Sequence, residues 1–462
     1  MNPSNPTMTM KLGSTVTGID PIWNDIPLLL AMAQGYWGLV APPVRAVRSS
    51  TVSNLPLADG LVLRSAVEAD RDAILALEVA AFGESDGPIV RARLDDLDGW
   101  LVVEDPDAPD DGAGRIASAS VLLAHRLQLG EVVLPVGQIE NVATHPNYRR
   151  RRLVRSQFEV HHQRSDARGD LAGLITGIPY LYRRLGYGYG LDYPVIHLPN
   201  AENVGEAGTV EVRPARADDL DGIARLDATR PTAQLRAVRD AQGWTRTLAR
   251  SAATRFEQLV VARRDGTLVG FAQLEARPSA GRLYLQPAMA ADAEAAHALL
   301  AHAVSQAAEH GEMVVAFDNP GTTYGEVLAG IGDPVHHSHG IYVRVPDPVA
   351  LLDALRPVLS LRLAQSRYAD RTGSLSLSFY ESGATLAYDH GVVTEVAPAE
   401  AVEDPFDSGG IGVPPDAVGT LAFGRFGATE LERRTDDVTL GPHRGLMEVL
   451  FPRVDAELLA DL

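Results

Sequence analysis

The feature that most narrows the possible folds is a pattern that occurs twice. LVLRSAVEADRDAILAL, beginning at Leu61, and VEVRPARADDLDGIARL, beginning at Val210, share a short extended run, an arginine and an acid. Arg213 stands in the place of Arg64 and Asp219 in that of Asp70, and a helix-spaced apolar face follows each acid. An internal duplication is the economical explanation. Two copies of one strand–helix unit, with more than a hundred residues beyond the second, imply several domains rather than one. With 45% hydrophobic and 22% charged residues the chain has the material for sizeable cores, which excludes wholesale disorder.

The surroundings of the first copy extend the unit. The residue pattern predicts a strand at Leu61–Arg64, a helix from Asp70, and strands at Trp100–Val103, Ile116–His125 and Glu131–Thr144. A basic turn then leads into a helix to about Arg168, a strand at Leu171–Thr176, and a short helix through Tyr182 that ends at Gly186, the usual residue after a helix C-terminus. Adjacent strands interleaved with helices in this order describe an α+β fold with a mixed sheet. The second copy predicts strands near Leu259–Arg263 and Leu268–Leu274, a helix over Ala290–His310 and a strand at Met313–Phe317. A third region, from about Pro346, opens with the helix LLDALRPVL and continues with strands at Leu375–Tyr380 and Ala384–Tyr388, a Pro/Asp/Gly-rich loop over 396–416, and helices near 415–424 and 443–450.

Charge and residue usage remove whole classes of function. The formal charge is −19, a poor match to polyanions, whose phosphates need surplus cations, so nucleic acid is not an expected partner; amines suit it better. There is no cysteine, which excludes disulfides and thiolate catalysis. Ile26–Val44 is uncharged and nearly long enough to span a bilayer. Gln34 interrupts it, Pro27 and Pro42-Pro43 break helix at its ends, and no basic cluster flanks it. A signal peptide needs a basic start, and residues 1–24 hold only Lys11. The expectation is a cytoplasmic protein with an apolar N-terminal arm and no membrane span. His336, His337 and His339 form no standard metal pattern, so no metal is expected.

Chemistry concentrates in Ile139–Arg155, IENVATHPNYRRRRLVR. A strand ends in V-A-T-H-P, a turn carries four arginines, and a helix begins. Free N–H groups and the aligned dipoles of a helix start favour anions, and arginines add fork-shaped donors for phosphate. Downstream, YLYRRLGYGYG places Tyr182 four residues before Gly186. A phenol there is a candidate proton donor to a thiolate, because the two have comparable proton affinities; Tyr187 reads as a packing aromatic.

On these residues the sequence resembles a known family. V-x-x-x-P-x-x-R-R-x-x-L followed by L-Y-x-x-L-G-Y is similar to the GNAT superfamily of acyl-CoA N-acyltransferases, and more narrowly to the enhanced intracellular survival (Eis) acetyltransferases. The resemblance covers about residues 61–462. It implies two tandem GNAT-like domains, the first active at 61–200 and the second degenerate at 201–345. A sterol-carrier-protein-like α/β domain at 346–462 follows, and 1–60 remain an arm and linker. It implies acetyl-CoA as acyl donor, with Val142, Ala143 and Thr144 bonding the pantetheine arm. Arg150, Arg151, Arg152, Leu153, Val154 and Arg155 would hold the pyrophosphate, and Gly177 and Ile178 would line the other side. Tyr182 falls where the family has its general acid. The C-terminal carboxylate, on Leu462, falls where it has its base, with Asp461 beside the amine. The acceptor class is primary amines (aminoglycosides, polyamines or lysine side chains), and the assembly is a homo-oligomer, typically a hexamer. The second copy has YLQPAMAADAEAA where a cofactor turn belongs, without the arginines. One departure stands out: the usual R/Q-x-x-G-x-G/A turn has Arg152 and Val154 at its glycine and Gly/Ala positions. A side chain at 152 either crowds the phosphates or points outward and adds charge. The competing readings are a non-catalytic CoA-binding homologue and a carrier of an apolar ligand.

Overall fold

The computed structural model describes residues 52–457, apart from 110–114, 206–207, 232–233, 254–256, 332–333 and 337–339. The apolar arm, His337, His339, Asp461 and Leu462 therefore lie outside the described residues. The first third of the chain forms β1 (Leu55–Pro56), β2 (Val62–Ser65), α1 (Arg71–Phe82), α2 (Gly87–Leu94), β3 (Trp100–Glu104), β4 (Ile116–Leu129), β5 (Val132–Thr144), α3 (Leu153–Arg168), β6 (Ala172–Ile175), a 3-10 turn at Tyr182–Leu185, and β7 (Gly188–Asp192). The middle forms β8 (Ile196–His197), β9 (Glu211–Pro214), α4 (Leu220–Asp227), β10 (Leu235–Ala237), α5 (Ala241–Ala253), β11 (Glu257–Arg264), β12 (Thr267–Arg277), β13 (Arg282–Ala290), α6 (Ala293–His310), β14 (Met313–Phe317), α7 (Thr323–Ala329) and β15 (Gly340–Arg344). The last part forms α8 (Pro348–Ala354), α9 (Arg356–Ala364), β16 (Gly373–Ser378), β17 (Gly383–Asp389), β18 (Val392–Ala399), α10 (Pro405–Ser408), β19 (Ile411–Gly412), α11 (Val418–Ala422), α12 (Ala428–Arg434), α13 (Arg444–Leu450) and β20 (Ala456–Glu457).

Among the described residues the strands make three sheets, of ten, six and four strands. The first runs β1-β2-β3-β4-β5-β6-β15-β7, with β10 on β4 and β20 on β10; the second runs β8-β14-β13-β12-β11-β9; the third runs β18-β17-β16-β19. The twice-read pattern has a physical basis. Arg64 pairs with Asp70 at 2.6 Å and Arg213 with Asp219 at 2.8 Å. Each acid also accepts the backbone N–H three residues before it, Val67 and Arg216, both at 2.8 Å. The third charge is inverted between copies. Glu104 on β3 joins Arg64 at 2.6 Å, whereas Arg263, in the matching place on β11, joins Asp219 at 2.6 Å.

Two features escaped the sequence pattern. Gly340–Arg344, expected within the middle segment, inserts into the first sheet between β6 and β7, while Ile196–His197, expected in the first segment, pairs with β14 of the second. The segments thus exchange strands. Four and two residues of pairing edge are too short for pattern reading to assign to a sheet. Val392–Ala399 is a strand where a loop was expected to begin, because its alternating partners on β17 outweigh its proline. Gly188 lies against the third segment, where a Cβ would collide with the Asp416 carbonyl. There Thr420 Oγ1 donates to the Tyr189 carbonyl at 2.7 Å, so this glycine sets how closely the two parts approach. No helix among the described residues is long and apolar enough to cross a membrane.

Candidate active site

A gap opens where two strands part. β5 and β6 pair in parallel only from Val136↔Ala172 to Gln138↔Leu174, and β5 runs on to Thr144 without a β6 partner. The cause lies in β5 itself: the register against β4 shifts between Ala119 and Val121, and Asn141 opposite has φ 49°. A bulge of this kind bends and twists its strand. Beyond it, His145 N–H bonds the Ala117 carbonyl at 2.9 Å. Antiparallel alternation then turns the backbone groups of Ala143 toward β4 and those of Val142 and Thr144 toward the gap. The Ala143 carbonyl also accepts Ser118 Oγ at 2.7 Å. Of the three residues expected to line this edge, Val142 and Thr144 face the gap, whereas Ala143 faces β4.

The basic turn follows at the end of β5. Arg150 and Arg152 have φ 64° and 63°, the left-handed region that disfavours a Cβ. A glycine in the fourth position of such a turn therefore relieves the backbone as much as it makes space. Arg152 is the N-cap of α3, no side chain caps that helix, and its first turn carries no acid. The Arg149–Arg152 side chains are exposed. Arg151 stands 3.6 Å from Asp59 and lies over the Tyr148 ring at 5.0 Å, and Arg155 pairs with Glu159 at 3.1 Å. Leu153 is buried and Val154 half-buried, so they contribute helix N–H groups rather than side chains.

The matching place in the second copy is built the opposite way. Asp292 caps α6, accepting the Ala295 N–H at 3.0 Å. Arg264 binds Asp292 at 2.8 Å and Glu294 at 2.7 Å. An arriving phosphate would meet two carboxylates and a helix start already satisfied. The two helix starts therefore differ in sign.

Across the gap, Gly177 has φ 132° and Ile178 is 58% exposed. Tyr182 begins the 3-10 turn, and Gly186 closes it with φ 86°. The Tyr182 ring is 2% exposed, stacked on Phe158 at 5.8 Å and edge-on to Tyr187 and Tyr342. Among the described residues no group hydrogen-bonds its hydroxyl. Burial, with the nearby Glu140 charge, holds its pKa above the ordinary tyrosine value, so the hydroxyl keeps its proton throughout the physiological range. Tyr187 is a packing aromatic whose hydroxyl is hydrogen-bonded to His162 Nε2 at 3.0 Å.

Sequence reading missed a buried polar cluster on the same strand. Gln138 Nε2 donates to Glu140 Oε1 at 2.7 Å, Arg93 Nη1 donates to Asn141 Oδ1, and Asn141 Nδ2 donates to Glu78 Oε2 at 3.2 Å. Arg93 lies 3.7 Å from Glu140. Burial pushes the Glu140 carboxyl up to about 8 against the pull of Arg93. The available signal was three polar residues, Gln138, Glu140 and Asn141, close together in a mostly apolar strand.

A splayed parallel strand pair thus stands beside an uncapped, arginine-rich helix start. Residues 62–190 match the family of acetyltransferase (GNAT) domains, and the chain carries such a domain there. A stretch of 133 residues is 32% identical to the N-acetyltransferase Eis of Mycobacterium tuberculosis. The match takes in 28% of this chain and about a third (32%) of the length of that relative. The fold agreement is wider. A GCN5-related N-acetyltransferase from Kribbella flavida superposes with a TM-score of 0.64 at 19% identity, covering 87% of this chain and 98% of that one. Eis1 from Mycobacterium abscessus superposes at 0.56 and 14% identity, covering 87% and 100%. These likenesses show a mixed α/β fold shared over most of the length.

Proposed function

We propose that the protein is an acetyl-CoA-dependent N-acetyltransferase acting on primary amines. The observation that carries this reading is the contrast of the two helix starts. α3 is open, cationic and beside a splayed strand pair, whereas α6 is capped by Asp292. In this reading residues 61–200 are the active GNAT-like domain, 201–345 a degenerate copy supplying β15, and 346–462 a sterol-carrier-protein-like domain.

Acetyl-CoA lies in the gap, with its pantetheine amides on the Val142 and Thr144 backbone and Gly177 and Ile178 opposite. Its pyrophosphate sits on the α3 N–H groups among Arg150, Arg151 and Arg152. A neutral amine attacks the thioester carbonyl, a C–N bond forms, and the C–S bond breaks. Tyr182 donates its proton to the departing thiolate, and the amine's surplus proton passes to a base. The chemistry needs proximity, an acid and a base. The chain works as a cytoplasmic homo-oligomer, a hexamer by likeness to the family, and its negative charge favours cationic acceptors such as polyamines, aminoglycosides or lysine side chains.

A thiol-release assay with acetyl-CoA over a panel of amines, paired with calorimetry, tests the proposal. Binding of acetyl-CoA with amine-dependent thiol release is expected. Binding with no release for any amine would favour a non-catalytic CoA-binding role. Absence of binding, with Arg152 in the glycine position, would refute the site.

A further inference from the structure

Tyr180 holds a conformation its side chain disfavours. Its φ is 69°, which a bulky residue adopts only under constraint. Its ring is 61% exposed, and Arg184 lies over it at 5.8 Å, so no core packing fixes the residue. The constraint is its own amide. Tyr180 N–H donates to the Tyr342 hydroxyl at 2.6 Å, across 162 residues of sequence. Tyr342 is 1% exposed and sits on β15, the strand inserted between β6 and β7. Its ring stacks on Tyr189 at 4.1 Å and meets Tyr182 edge-on at 5.5 Å and 70°. One side chain therefore grips the 177–181 loop with its oxygen and walls Tyr182 with its ring.

We propose that Tyr342 is a positioning residue for acyl transfer, setting both the loop that lines the acetyl-CoA gap and the orientation of Tyr182. The inference rests on the acetyltransferase reading. Its two functions separate by atom. Without the hydroxyl, Tyr180 loses its anchor, relaxes out of the left-handed region and takes Ile178 with it, while the Tyr182 wall stays. Without the ring, Tyr182 loses that wall too. A misplacement of about 1 Å costs on the order of 100-fold in rate, so the second loss should act on the chemical step.

The test compares Tyr342→Phe with Tyr342→Leu. For the Phe variant the expected results are faster amide hydrogen exchange confined to 177–181 and a KM for acetyl-CoA raised about fivefold or more, with kcat within about threefold of wild type. For the Leu variant kcat should also fall about 10- to 100-fold, with the amine KM unchanged in both. Adding Tyr180→Gly to the Phe variant should recover much of the acetyl-CoA affinity, since glycine adopts the left-handed conformation without an anchor. Wild-type exchange and KM in the Phe variant would overturn the proposal, as would faster exchange spread evenly over the first sheet. If the wild type acetylates no amine, the functional reading fails by itself. Exchange at 177–181 with and without the Tyr342 hydroxyl then still reports whether that hydroxyl holds the loop.

Discussion

Replacing Arg152 by glycine should stabilise the protein, against the usual direction of a glycine substitution. Arg152 sits at φ 63° and ψ 18°, a conformation that costs an L-residue roughly 1–2 kcal/mol. Glycine adopts it freely but loses more backbone freedom on folding, which costs about 0.5–1 kcal/mol. The difference favours glycine by roughly 0.5–1 kcal/mol, a rise in Tm of about 1–4 °C for a domain of this size. The side chain removed is exposed and has no ion-pair partner among the described residues, so little is lost in exchange. Arg151 supplies the contrast: its φ lies outside the left-handed region, and it faces Asp59 and covers Tyr148. Arg151→Gly should therefore destabilise. Differential scanning calorimetry of the two variants reads the signs directly. Equal shifts, or a fall in Tm for Arg152→Gly, would refute the strain argument. Calorimetric titration with acetyl-CoA adds the other half. Loss of one exposed cation is worth about 0.3–1 kcal/mol, so affinity should fall no more than about fivefold.

Charge reversal of Arg150 and Arg151 together should weaken acetyl-CoA binding strongly and reduce its salt dependence, with folding intact by circular dichroism; unchanged affinity would remove the pyrophosphate from this turn. Tyr182→Phe should lower kcat about 100-fold or more with KM little changed, and an effect on KM alone would make Tyr182 a packing residue. Glu140 holds its proton up to about pH 8 in the fold but only to about 4.3 unfolded, so its share of stability is lost as pH rises from about 5 to 8. Glu140→Gln should flatten that fall in a urea-denaturation series across the interval; an unaltered slope would assign it to other groups.

What the sequence disclosed depended on how local the physics was. The Arg64–Asp70 and Arg213–Asp219 pairs span six residues each, so the repeat they anchor was readable directly. The arginine turn and Gly186 were legible because helix ends have local chemistry. The gap between β5 and β6 was legible only by resemblance, because the bulge at Asn141 depends on pairing with β4. Tyr342 was unreadable as part of the site, since its role exists only once β15 has found its place between β6 and β7. The Glu140 cluster failed for a similar reason: Arg93 and Glu78 come from α2 and α1, and nothing in either helix announces the strand they meet.

The placement of β15 bears on how the protein is made. The sheet that carries the arginine turn cannot close while the chain emerges, because the strand between β6 and β7 ends at Arg344. A ribosome that has released the first two hundred residues has released every residue of the turn and Tyr182, yet β6 and β7 still lack their shared neighbour. Those edges must be kept apart from other nascent chains until the strand arrives. A fragment cut near residue 200 would hold that state permanently, so the first segment is expected to aggregate when expressed alone and to recover when residues 201–345 are supplied with it.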